Sequence, residues 1–311
     1  MSDAPLYNDV ADGPTDGRAV WLKAGDGVRI RAAVWNASAP KGTVFLLPGR
    51  TEYVEKYGRA AGELAGRGYC TLSVDWRGQG MADRALADRM NGHVGDFAEY
   101  QDDLDTLIRF AQSDGLPQPF YLLPHSMGGC IALRGLMRGL DFKAVSFSAP
   151  MWGILIAAWM RPIATILTTA SRWLAFDTRY APGTSDKAYV IEAPFVGNTL
   201  TTDPAMWDYM KQQALAHPDL SLAGPSYGWL KAALVECAAL ARIPSPPTPA
   251  IVALGTQERI IDTAPVYARM ARWPGGRLDH YPGAEHEVMM ERPETRTTFL
   301  HRSTDLFDAH R

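Results

Sequence analysis

The chain has 311 residues, 47% of them apolar and 21% charged, with a net charge of −3. The length amounts to roughly two domains of about 150 residues, although single α/β domains often exceed 200. The composition excludes a disordered chain, and the balance of charge leaves no basic field for a polyanion, so nucleic acid is not an expected partner. Cys70, Cys130 and Cys237 lie far apart without CxxC spacing, which points to a reducing compartment rather than a disulfide frame or a zinc cage. The opening residues MSDAPLYNDVADGPTDG lack the basic and apolar regions of a signal peptide. The longest uncharged stretch, residues 144–160, contains Pro150 and Gly153 and falls short of the roughly 20 residues of a membrane span. A cytoplasmic protein without a transmembrane helix is expected.

In chain order, residues 19–37 read as two strands, AVWLKA and VRIRAAVW, around the turn Gly25-Asp26-Gly27. Short apolar runs then alternate with helical stretches: TVFLL (43–47), a helix near 55–67, CTLSVDW (70–76), a helix near 97–113, FYLL (120–123), a helix near 128–139, and AVSFSA (144–149). Apolar runs of this length, each followed by a helix, are expected of strands buried on both faces of a parallel sheet. From about 150 to 242 the strand signal fades into helical sequence broken by prolines, with five of the nine tryptophans. The proline-rich run 243–249 is a stiff linker back to the sheet. The rhythm then resumes with AIVAL (250–254), a helix near 263–272, RLDHY (277–281) and a final helix near 291–309. The reading is one α/β domain of about eight strands, in two parts, 1–149 and 243–311, with a helical insert at 150–242. Most of the tryptophans are expected in the core, and some against an apolar pocket.

Two serines compete for the role of nucleophile. Gly224-Pro225-Ser226-Tyr227-Gly228 matches G-x-S-x-G letter for letter, whereas Ser126 sits in Pro124-His125-Ser126-Met127-Gly128-Gly129. A nucleophile elbow needs a buried strand, a tight turn and a helix whose first amides face the reacting oxygen. Ser126 has that frame and Ser226 does not, so Ser226 reads as a helix start. Pro124 is the blemish, since proline lacks an amide and fixes φ.

A serine hydroxyl needs a histidine to take its proton and an acid behind the histidine, in the chain order Ser, acid, His for this fold. His286 follows the last strand directly and is the expected base; His280, His301 and His310 lie in strand or helix. Glu258 follows the strand at 250–254 and is the expected acid, with Asp262 the alternative, although Asp262 precedes Thr263-Ala264-Pro265 as an N-cap would. HEVMM (286–290) has Met290 where a zinc-protease helix needs a second histidine. For the oxyanion, the expected donors are the backbone amides of Met127 and Arg50. The side chain of Arg50 need take no part, and the plain alternative for its charge is a solvated surface arginine.

These residues resemble the lysophospholipase and monoacylglycerol lipase branch of the α/β-hydrolases, and most closely the bacterial lysophospholipases. The resemblance rests on PGRTEYVEKY (48–57), DWRGQG (75–80), GHVGDFAEYQDDL (92–104), HSMGG (125–129), the helical cap, QERIID (257–262) and GAEHE (283–287). By position it places Ser126, Glu258 and His286 on the catalytic triad and Arg50 and Met127 on the oxyanion hole. Pro48 and Glu258 follow the bacterial lysophospholipase pattern; Pro124 follows neither. The resemblance implies hydrolysis of one ester of a single-chain lipid with no metal or cofactor. Trp152, Trp159 and Met160 in the cap would suit an acyl chain and a shallow membrane contact. The competing expectations are a carboxylesterase or thioesterase for small acyl compounds, and a binding protein without catalysis. The sequence implies no oligomeric state.

Overall fold

The computed structural model describes residues 2–156, 167, 170–171 and 174–311. Nine strands form one sheet: β1 (Ser2–Ala4), β2 (Arg18–Lys23), β3 (Arg29–Trp35), β4 (Thr43–Leu47), β5 (Cys70–Asp75), β6 (Phe120–Pro124), β7 (Val145–Ser148), β8 (Ala250–Gly255) and β9 (Arg277–Tyr281). Their spatial order is β1-β2-β3-β5-β4-β6-β7-β8-β9. The β1-β2-β3-β5 pairings are antiparallel, and every pairing from β5 to β9 is parallel. This is the α/β architecture expected, with one strand more than the eight read from sequence. The extra strand, Ser2–Ala4, pairs with Ala19–Trp21 along the sheet edge. Three residues are too few to show a period, so nothing in the sequence marks them.

Every residue of β4 to β8 is buried, which accounts for their continuous apolar runs. Side chains alternate between the two faces. Phe45, Leu47 and Leu122 enter one core with Leu104 and Leu107 of α3 (Ala98–Ser113) and Ile131 and Leu133 of α4 (Met127–Met137). Val44, Leu46, Tyr121 and Leu123 enter the other, with Ala60 and Leu64 of α2 (Gly58–Gly66) and Phe299 and Phe307 of the C-terminal helix Pro293–Asp308. The hairpin turns where expected, with Gly27 at φ 95° and Ala24 N–H bonded to Val28 O at 2.8 Å.

Between β7 and β8 lie the helices Tyr189–Glu192, Pro204–Ala216 and Tyr227–Arg242 and the short 3₁₀ turn Pro218–Leu220, with no strand among the described residues. Asp203 caps the second helix by accepting from Ala205 N–H at 2.9 Å, with Pro204 in its first turn. Ser226 caps the third by accepting from Trp229 N–H at 3.0 Å. Both are sutured to the sheet domain. Tyr209 donates to the carbonyls of Ala11 and Glu55, and Gln213 to those of Val10 and Glu55. Trp229 donates to the Tyr100 hydroxyl at 3.2 Å.

Candidate active site

Ser126 stands between β6 and α4 at φ 48° and ψ −114°. A non-glycine residue there costs on the order of 1–3 kcal/mol and persists only where its surroundings impose it. They do so through four backbone bonds: His125 N–H to Leu47 O, Ser126 N–H to Ser148 O, and the Gly129 and Met151 amides to Ser126 O, all between 2.9 and 3.0 Å. Two glycines let α4 close in. A Cβ on Gly128 would lie 2.2 Å from Leu47 O, and one on Gly129 would lie 2.6 Å from Pro150 Cβ.

Pro124 sits where the elbow can spare an amide. On β6, Leu122 N–H donates to Ala144 O and Ser126 N–H to Ser148 O, both toward β7, while His125 N–H donates toward β4. By alternation the missing amide faces β7, where Leu122–Val145 is the one strand pair and the His125–Ser148 bridge resumes contact. The ladder loses a rung and the turn keeps its shape.

His286 lies on the loop after β9, and its Nδ1 is 2.6 Å from Glu258 Oε2. The other carboxylate oxygen, Oε1, accepts from the Ile260 and Ile261 amides at 2.7 and 3.2 Å. Burial works against the Glu258 charge, but the His286 bond and those amides outweigh it and hold the carboxyl below its ordinary value. Gly255 lets the two loops meet, since a Cβ there would fall 2.2 Å from Glu285 O. The insert holds the histidine loop from the far side, with the His286 and Glu287 amides bonded to Thr199 O and Leu200 O at 3.3 and 2.9 Å. Asp262 instead accepts from Ala264 N–H at 3.1 Å at the start of the helix Ala264–Met270.

Ser126 and His286 open on one cavity of about 360 Å³, and Arg50 also lines it. Met127 begins α4, so its amide is among the first four that a helix leaves without an internal acceptor. The loop carrying Arg50 is tied from behind by residues whose roles sequence reading missed. Trp76 Nε1 donates to Pro48 O at 2.9 Å and Gln79 Nε2 to Gly49 O at 2.8 Å. Glu52 accepts from the Gly49 amide and from the Tyr57 hydroxyl. The DWRGQG motif is thus the brace of this loop. Its Asp75 accepts from Val54 and Met81 amides and pairs with buried Arg31. A run of polar residues after a buried strand was the available signal.

Beneath the elbow, Lys56 Nζ bridges Glu52 and Glu287 at 2.8 and 2.7 Å, and His125 Nε2 lies 3.5 Å from Glu52. Glu52, His125 and Glu287 are close enough together to hold a metal ion, but the ammonium of Lys56 already supplies the cation there.

Ser226, the letter-perfect match, is fully buried and bonded to His93 Nδ1 at 2.8 Å as well as to Trp229 N–H. It is the helix start expected of it. Two other expectations change. Trp152 is 3% exposed, packs between Phe147 and Trp273 and donates to Gly129 O; Met151 and Ile154, rather than Trp152, line the cavity. The Arg50 side chain is not a solvated surface group, for it runs inward to Ala223 O and the face of Trp229. Trp159 and Met160 lie outside the described residues.

The mostly parallel sheet, the strained serine between strand and helix, and the acid and histidine on later loops define an α/β-hydrolase. The family described as serine aminopeptidase, S33, matches residues 38–293, and the chain belongs to it. Lysophospholipase L2 of Escherichia coli (strain K12) is 31% identical over 298 residues, covering 92% of this chain and 86% of that one. Monoglyceride lipase of Rattus norvegicus is 25% identical over 281 residues, covering 89% and 86%. These names carry the branch that the motifs resemble. Among solved structures, a soluble variant of monoglyceride lipase from Saccharomyces cerevisiae, in complex with a substrate analog, superposes with a TM-score of 0.74 at 19% identity, covering 96% of this chain and 98% of that one. That likeness concerns the fold alone.

Proposed function

We propose that the protein is a serine hydrolase that cleaves the carboxylic ester of a single-chain lipid, a lysophospholipid or a monoacylglycerol, with Ser126, His286 and Glu258 as its triad. The observation that carries this reading is His286, held by Glu258 at 2.6 Å, opening on the same cavity as Ser126. The cavity walls include Met151, Ile154, Leu200, Met210, Leu222 and Ile260, the kind of apolar lining an acyl chain requires.

Ser126 Oγ attacks the acyl carbonyl as His286 takes its proton, and Glu258 holds the imidazole in the productive tautomer. The Met127 and Arg50 amides receive the oxyanion, each such donor being worth roughly 10²–10³ in rate. His286 returns the proton to the departing glycerol-side oxygen, leaving an acyl-serine. Water, deprotonated by the same histidine, then releases the fatty acid. The steps balance with these residues and one water. The insert acts as a cap, and its exposed Leu155, Leu174 and Val196 meet the lipid surface from which substrate is drawn.

The test is fatty-acid release from a lysophospholipid and a monoacylglycerol of equal chain length. Wild type should release acid from at least one, and Ser126→Ala should lose roughly 10⁴-fold or more in kcat. No release from either by folded wild type would end the lipid reading and direct attention to short esters and thioesters.

A further inference from the structure

Arg50 carries a charge that the fold leaves unmatched. Among the described residues no carboxylate lies within ion-pairing distance of it, whereas buried Arg31 has Glu55 and Asp75, and Arg77 has Asp103 and Asp26. Its Nη2 donates to Ala223 O at 2.5 Å, its guanidinium carbon stands 5.2 Å from the centre of the Trp229 ring, and its Nε is buried with no hydrogen-bond partner. Burial lowers its pKa to about 10, so the group stays charged at neutral pH. A second orphan lies two residues from the carbonyl that Arg50 grips: Ser221 Oγ is also buried without a partner. Both residues line the cavity on which Ser126 opens. The acids of that cavity wall, Glu52 and Glu287, face Lys56 at 2.8 and 2.7 Å rather than Arg50.

A part-buried guanidinium with spare donors fits an anion, and phosphate best, because its fork matches phosphate oxygens. Building on the lipid-ester reading above, we propose that Arg50, with Ser221, reads the head group: its guanidinium receives the phosphate of a lysophospholipid, making this class rather than monoacylglycerols the preferred substrate. Only the glycerol carbons separate that phosphate from the ester. One residue therefore serves both sides of the scissile ester, its amide at the acyl carbonyl oxygen and its side chain at the phosphate of the leaving alcohol.

The experiment compares kcat/KM for a lysophospholipid and a monoacylglycerol of equal chain length in wild type, Arg50→Met and Arg50→Lys. Arg50→Met should lower the lysophospholipid value at least tenfold more than the monoacylglycerol value, chiefly through KM, and Arg50→Lys should recover part of the difference. Equal losses on both lipids would overturn the proposal and leave Arg50 a brace between loop and insert. A wild-type arm needs no variant to fold. Below its micelle concentration, an alkylphosphocholine should inhibit hydrolysis of a short neutral ester at least tenfold more tightly than an alkylglycerol ether of the same length. Equal inhibition would overturn the proposal independently. Failure of wild type to hydrolyse either lipid would instead remove the lipid-ester reading, and the inhibition arm would still decide whether the cavity selects a phosphate.

Discussion

His125 precedes the serine and is 2% exposed. Burial depresses its pKa to about 3, more strongly than Glu52 opposite can raise it. The folded protein therefore holds this ring neutral across the range where an unfolded chain, with a histidine pKa near 6.5, takes up a proton. The stability this contributes is whole above about pH 6.5 and drains as pH falls toward 3, by roughly 1.4 kcal/mol per pH unit. Glu52 acts in a lower window. Burial disfavours its charge, but Lys56 and His125 prevail and take it to about 2, so its contribution is lost only below about pH 4.5. Between pH 6.5 and 5 wild type should lose about 2 kcal/mol through His125. Urea unfolding at both pH values would measure it, and His125→Gln should lose correspondingly less over the same interval. Parallel losses would show that the ring is not held neutral.

At the scale of elements, the elbow depends on how closely α4 approaches the end of β4. The neighbours of a Cβ on Gly128 would be backbone, with Leu47 O at 2.2 Å and Pro48 O at 2.7 Å, so no side chain can swing aside. Gly128→Ala must displace either α4, which presents the Met127 amide, or the loop that presents the Arg50 amide. An ångström of misplacement in such a site costs about 10² in rate, and the strain should remove about 1–3 kcal/mol of stability. A Cβ on Gly62 in α2 would meet nothing within 4 Å, so Gly62→Ala should gain roughly 0.5–1 kcal/mol with kcat unaltered. Steady-state kinetics and thermal melts of the two variants give the contrast; equal effects would show that helix propensity, not proximity, decides at Gly128.

Much of this was legible in the chain. Strands such as TVFLL and the helices after them announce themselves by local period, and the order of Ser126, Glu258 and His286 follows from fold logic. What escaped depends on distant partners. The inward course of the Arg50 side chain is decided by Trp229 and Ala223, far along the chain, and the role of Lys56 by Glu287. Trp152 could not be divided between core and cavity from sequence, because both environments are apolar.

For the molecule as a whole, the proposed lipid substrate turns attention to the balance of charge and the placement of apolar side chains. Among the described residues no helix is long and apolar enough to cross a membrane. Leu174 is 69% exposed and Val196 85%, on the same insert whose Leu200, Met210 and Leu222 line the cavity. With a net charge of −3, attraction to anionic lipid is not the expected force; burial of these side chains at the interface is. The protein should therefore co-sediment with zwitterionic vesicles, with little dependence on salt, and Leu174→Asp with Val196→Asp should weaken that association. Absence of the wild type from the pellet would end the idea of a surface contact.

The bonds from Thr199 and Leu200 to the amides of the histidine loop are made by main-chain carbonyls, while both residues also line the cavity. Natural selection can act on main chain and side chain separately. A lineage can exchange the side chains at 199 and 200, and with them the shape of the pocket, without unseating His286. The same two positions are thus free to vary in side chain while their carbonyls keep the histidine loop in place.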